Sequence, residues 1–197
     1  MKASFIENID NKEGSVVHPK KMIIWISMIS IVMIFAGLTS YLIVRKAEGN
    51  WADLTIPSIF VWSTVVIIIS SIVQQLGLLL FNRGKENIAK LLVVLTIVLG
   101  FAFMYIQQEA WMDLFNQGFA VGGPGSNSSA SIIYILVWVH IAHIIIALLY
   151  LVSLLFVIIL PKYTDSVKRR FESSTIFWHF LGLLWIYLYV FLLLNYN

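Results

Sequence analysis

Charge is missing from five long stretches of this chain, and that limits what it can fold into more than any motif does. Residues 22–44, 54–82, 91–108, 114–161 and 173–197 contain no Asp, Glu, Lys or Arg. In a soluble domain charged residues approach a quarter of the chain; here they make up 12% against 60% hydrophobic residues. The hydrocarbon core of a bilayer, ~30 Å thick, takes about 20 apolar residues in helical form, because lipid offers nothing to satisfy an open backbone group. The five runs therefore predict an all-α membrane bundle of five transmembrane helices, near Met22–Val44, Pro57–Phe81, Ala89–Trp111, Ser131–Leu160 and Ser174–Leu194. A β-barrel would show alternating segments of about ten residues. Blocks such as ILVWV and LLWIYLYVFLLL are apolar on every side and exclude it.

The remaining charges report orientation. All of the 13 Lys and Arg except Arg45 and Lys46 fall in the amino-terminal segment, between the second and third spans or at the first residues of the third, or between the fourth and fifth. The positive-inside rule then puts the amino terminus in the cytoplasm and the carboxyl terminus outside. The net charge of +3 thus reflects topology, and no nucleic-acid partner is expected. Residues 1–21 form a polar cytoplasmic segment without an apolar run of its own, so no cleavable signal is expected and residues 22–197 make one membrane domain. Cysteine is absent, which excludes disulfides and thiolate-bound metal centres. Pro57 suits a first helical turn, Asn82-Arg83-Gly84-Lys85 suits a tight reversal, and the Gly- and Ser-rich stretch 122–129 reads as a flexible outer loop. Asn127 matches a short glycosylation pattern of low specificity. The two halves show no inverted repeat, which weakens a transporter reading.

Helices in lipid associate through small residues and interhelical hydrogen bonds. At about 100° per residue, Ser27, Ser30, Gly37 and Tyr41 share one face of the first span, and Ser63, Ser70, Gln74 and Gly77 share one face of the second. His140, His143, Ala147 and Tyr150 align in the fourth span, and Trp178, Gly182, Trp185 and Tyr189 in the fifth. All four faces are expected to pack on protein. Glu109 and Asp113 sit at the outer end of the third span, where Glu109 reads as an interfacial acid.

His18 lies in the polar leader; His140, His143 and His179 fall within spans. His140 and His143 lie about 60° apart on one helix face and could share a metal or face a haem. A bis-histidine haem needs ligands on two helices at one depth, yet His179 is ~8 Å and His143 ~25 Å from the inner end of its helix at 1.5 Å per residue. Hydrogen-bonded buried histidines are the better reading. Three function classes compete: a haem-binding membrane anchor, a small transporter or channel, and a non-catalytic subunit of a larger complex. An optical spectrum tests the first and liposome flux the second. Ion pathways generally carry ionisable side chains within the spans, and here histidines and Glu109 are all there is.

The strings Trp138-Val139-His140-Ile141-Ala142-His143 and Phe177-Trp178-His179-Phe180-Leu181-Gly182-Leu183-Leu184-Trp185 closely resemble signatures of haem-copper oxidase subunit III. Phe35-Ala36-Gly37, Ser70-Ser71, and Gln107 followed by Trp111 are similar to that family's earlier spans in the same order. Five spans resemble its short bacterial form, found in cytochrome c and quinol oxidases. The resemblance implies a multi-pass subunit of the bacterial cytoplasmic (inner) membrane with no catalytic centre, haem or copper of its own. It implies partnership with subunits I and II, which hold haem and copper, with membrane lipids and with further respiratory subunits. The assembly carries out oxygen reduction coupled to proton translocation in aerobic respiration. His140, His143, Trp178, His179 and Trp185 carry over as structural signature positions. The family's membrane carboxylates align with Ile31 and Gly182, and its third-span glutamate with Ala110 beside Glu109, so no proton role tied to them is expected here.

Overall fold

The computed structural model describes residues 19–47, 56–119, 128–159 and 165–196. They form five helices: α1 Pro19–Ala47, α2 Ile59–Asn82, α3 Glu86–Asn116, α4 Ser128–Ile159 and α5 Asp165–Tyr196. Each is long and apolar enough to cross a membrane. The helices outrun the apolar stretches because a backbone already in register needs no apolar side chains to continue past the hydrocarbon edge; α3 and α5 carry Glu86, Asp113 and Arg169 in such extensions. The first turn of α4 takes Ser128 and Ser129 from the expected outer loop. Pro57 precedes α2 rather than opening it, and its carbonyl receives the Phe60 N–H at 3.1 Å. His18, Trp51, Asn127 and Lys162 lie outside the described residues.

The α2–α3 reversal is the tight one that the sequence implies. Gly84 takes φ +75°, a conformation without penalty only for glycine, and the Gly84 and Lys85 N–H groups return to the Phe81 and Leu80 carbonyls. This closes the end of α2 as C-terminal capping motifs do.

Helix α2 packs along α3, α3 along α4, α4 along α5, and α5 back on α2, a closed ring of four; α1 lies outside it, in the seam between α4 and α5. Three polar ties hold α1 to α5 at successive heights. Lys21 pairs with Glu172 at 3.1 Å, the Thr39 and Tyr187 hydroxyls meet at 3.2 Å, and Lys46 Nζ donates to the Asn195 carbonyl at 2.8 Å.

The expected packing face of α1 is corrected by this arrangement. Ser30, Gly37 and Tyr41 point away from the bundle and Ser27 is exposed at the edge of a cavity shared with α4 and α5, while Met28, Ile31, Phe35, Thr39 and Leu42 form the buried face. Large apolar side chains fill the broad α4–α5 seam, and the small residues have no helix of this chain to approach. On α2 the expectation holds: Ser63, Ser70, Gln74 and Gly77 are all buried.

Candidate functional site

One ring side chain from each helix joins a connected layer of aromatic contacts, with Phe60 entering it from the first turn of α2. His140 of α4 lies 6.2 Å from Phe35 of α1, 6.0 Å from Phe103 of α3 and 5.4 Å from Trp185 of α5, between ring centroids. Trp185 in turn lies 5.3 Å from Phe103 and 5.6 Å from Phe60 of α2. All five are buried. Several pairs are tilted or edge-on, the arrangement in which a ring's positive edge meets a neighbour's negative face. Both nitrogens of His140 lack a hydrogen-bond partner. Its ring is there as a ring, packed among aromatics.

His143 meets that layer only at Phe35. Its Nδ1–H donates to the Val139 carbonyl at 2.7 Å, and its ring centroid lies 5.9 Å from that of Phe35. His179 lies elsewhere: His140 is level with Trp185, and His179 precedes Trp185 by six residues, ~9 Å along a helix. It is half-buried and bonded to Gln75 at 3.1 Å. The three histidines therefore do not converge, and among the described residues no group of three or more His, Asp or Glu could hold a metal ion. Glu109 is half-buried toward the carboxyl-terminal end of α3 as a hydrogen-bond partner of the Tyr105 phenol; Asp113 is exposed.

Below and around the layer, α2 acts as a polar spine facing α5. Trp185 Nε1 donates to Thr64 Oγ1 at 3.1 Å, Trp178 Nε1 to Ser70 Oγ at 2.8 Å, and Gln74 Nε2 to Thr175 Oγ1 at 3.2 Å. On its α3 side, Gln107 Nε2 donates to Ser63 Oγ at 3.1 Å. An indole N–H in hydrocarbon needs an acceptor, and both fully buried tryptophans find a hydroxyl one helix away. Sequence reasoning had the two tryptophans and Ser70 on packing faces but missed Thr64, Thr175 and the role of Phe60 and Phe103. The signal for the first two is spacing: polar side chains at 64, 70 and 74 descend α2 in step with 185, 178 and 175 on an antiparallel α5, Thr64 and Ser70 accepting and Gln74 donating. Phenylalanines carry no such mark in a chain so rich in apolar residues.

Two open cavities flank α5. One, of about 470 Å³, lies among α1, α4 and α5 beneath Lys21, Arg169 and Arg170. The other, of about 450 Å³, lies between α2 and α5 around Gly182.

A ring of four spans, an outlying fifth and a centre filled by aromatic side chains define a polytopic membrane helix bundle with a packed interior. Comparison with protein families matches residues 23–196 to cytochrome c oxidase subunit III, and the chain belongs to that family, the third subunit of haem-copper oxidases. A cytochrome bo(3) ubiquinol oxidase subunit 3 of Buchnera aphidicola (from Schizaphis graminum) is 26% identical over 179 residues, covering 87% of this chain and 92% of that protein. A probable cytochrome c oxidase subunit 3 of Nocardia farcinica is 28% identical, covering 85% and 82%, and a cytochrome c oxidase subunit 3 of Corynebacterium diphtheriae is 27% identical, covering 80% and 79%. The five spans and this membership make the chain a multi-pass protein of the bacterial inner membrane.

Proposed function

We propose that this subunit packs against the haem- and copper-bearing subunits I and II and holds the oxidase in a form that sustains oxygen reduction and proton translocation, without a redox centre of its own. The observation that carries the reading is the layer around His140. The three intramembrane histidines are spent on packing and local hydrogen bonds, and the helices that carry the signature residues are those whose seams the tryptophans lock. His140, His143, Trp178, His179 and Trp185 act as structural positions, and Glu109 as an interfacial acid. The amino-terminal end of the bundle faces the cytoplasm. Relatives named for quinol and for cytochrome c share this subunit, so the donor is set by a partner chain.

Membrane lipid is a further partner in this reading. The cavity beneath Lys21, Arg169 and Arg170 has an apolar floor that includes Ile24, Ile146 and Phe177, an arrangement suited to an anionic headgroup with its acyl chains along α1 and α4.

Purifying the chain from native membranes through a carboxyl-terminal tag tests the proposal. The expected result is a complex with haem absorbance and copper, both lost when the chain is separated from its partners. Recovery without a haem-bearing partner, or stoichiometric iron or copper in the separated chain, would sink it.

A further inference from the structure

The cavity between α2 and α5 is a groove open along its length, lined by Ile67, Ile72, Leu76, Leu183 and Ile186, with Gly182 among them. At 1.5 Å per residue the α2 wall from Ile67 to Leu76 runs ~13 Å. At Gly182 the α5 backbone lies close to α2: a Cβ built there would stand 3.2 Å from Ser71 Oγ and 3.6 Å from Ile67 Cγ1. The groove ends on the Gln75–His179 pair, with Gln75 exposed and His179 half-buried.

That pair lies deep. Gln75 is seven residues from the end of α2, and His179 is seven beyond Glu172, whose carboxylate meets Lys21 near the start of α1. Both distances correspond to ~10 Å along a helix. A glutamine side chain is too short to reach the headgroups from there. Whichever way its amide is turned toward His179, one end stays without a partner among the described residues, and Ser71 Oγ likewise makes no hydrogen bond among them. A serine can bond its own helix, as Ser27 Oγ of α1 does to the Ile23 carbonyl at 2.9 Å. A hydroxyl so bonded tolerates lipid at little cost, whereas a half-used amide does not.

We infer that this groove seats a transmembrane helix of another oxidase subunit, one that presents a hydroxyl or amide side chain to the open end of Gln75. The inference rests on the reading of the chain as a subunit of a haem-copper oxidase. A phospholipid acyl chain fits the walls but brings neither donor nor acceptor to that depth. Sites for small ligands enclose most of their occupant, and this groove is open along one side, a shape that takes the ridge of a helix with a side chain lodged over Gly182.

The chain contains no cysteine, so a cysteine introduced at Ile72 is unique within it. In membranes containing the complete oxidase, a benzophenone maleimide on Ile72→Cys is irradiated and the adducts are identified by peptide mass spectrometry. The expected product is a cross-link to a transmembrane peptide of another subunit. In parallel, Gln75→Leu is expected to lower the amount of this subunit retained through detergent purification by roughly threefold, the equivalent of an average interhelical hydrogen bond of about 0.6 kcal/mol in a membrane. The helix content of the isolated variant should stay that of wild type. Adducts on lipid or quinone alone would overturn the inference. Equal or greater retention of Gln75→Leu would do so too, because removing a polar group from a lipid-facing position costs nothing. Failure of either arm in an oxidase that still purifies with haem refutes the groove alone; an absence of any haem-bearing partner refutes the broader reading.

Discussion

A buried side chain in this bundle is held either by a hydrogen bond across a seam or by the space around it, and substitutions separate the two. Trp178 Nε1 donates to Ser70 Oγ with both groups buried, so Ser70→Ala leaves an indole N–H without an acceptor, a loss of about 1–3 kcal/mol. Thermal release of the subunit from the purified oxidase should shift down accordingly; an unchanged midpoint would mean that another acceptor serves Trp178. Gly100 is held by space. A Cβ there would stand 2.7 Å from Leu148 Cδ2 and 2.9 Å from Trp178 Cη2, while one at Gly37 meets nothing within 4 Å. Gly100→Ala is expected to cost about 1–3 kcal/mol as overpacking and Gly37→Ala close to nothing, and equal effects would contradict the packing described. His140 combines both questions. With no partner on either nitrogen, it is kept by its shape, so His140→Phe, which enlarges the ring, should cost about 1–3 kcal/mol as overpacking and less than His140→Ala, at about 2–5 kcal/mol as a large-to-small change. A His140→Phe variant as damaged as the alanine would show that a polar partner reaches the imidazole in the assembled enzyme. None of this was legible residue by residue: the sequence placed His140 on a protein-facing stripe, but which rings surround it depends on how five helices meet.

At the scale of whole helices, the sequence carried most of the outcome, because the length of an apolar run and the thickness of a bilayer together leave few alternatives. Asn82-Arg83-Gly84-Lys85 was legible as a reversal through its glycine, and the α2 and α5 faces through residues that lipid cannot satisfy. The face of α1 was misread for the complementary reason. Serine and glycine mark a close helix contact only where a neighbour exists, and nothing in the composition of α1 reveals that its neighbours in this chain lie on the other side. The resulting position is peripheral: the apolar window of α1 is 22% buried against 44% for α5. Its ties are modest, since the Lys21–Glu172 pair is about a third exposed and such pairs contribute about 0–1 kcal/mol. In detergent, backbone hydrogen exchange should therefore reach α1 before α2 or α5. Protection of α1 that lasts as long as that of α5 would mean that its exposed face, Gly37 included, is covered within the assembled oxidase.

For the molecule as a whole, the unequal ends of the bundle determine how it sits in the membrane. Lys21, Arg83, Lys85, Lys90, Lys168, Arg169 and Arg170 gather at the end where α1 starts, α2 turns into α3 and α5 begins; Arg45 and Lys46 stand at the other, with Glu109 and Asp113 toward it. Basic residues in short loops resist translocation far more than acidic ones promote it, so Glu86 and Glu172 among the cations do little to offset them. Five crossings then carry the carboxyl terminus to the opposite side. Because the chain is free of cysteine, single cysteines report on both ends without background. Arg83→Cys sits in an exposed turn and Gln117→Cys in an exposed position beyond α3. In intact cells a membrane-impermeant maleimide should label the cysteine at 117 and spare the one at 83, and permeabilisation should make the two equal. A phosphatase that works only outside the cytoplasm should be active when fused after Asn197. The reverse labelling would invert the bundle and place the cation-lined cavity of α1, α4 and α5 on the outer face. Labelling of both positions in intact cells, with an inactive phosphatase, would leave the five-span arrangement itself untenable.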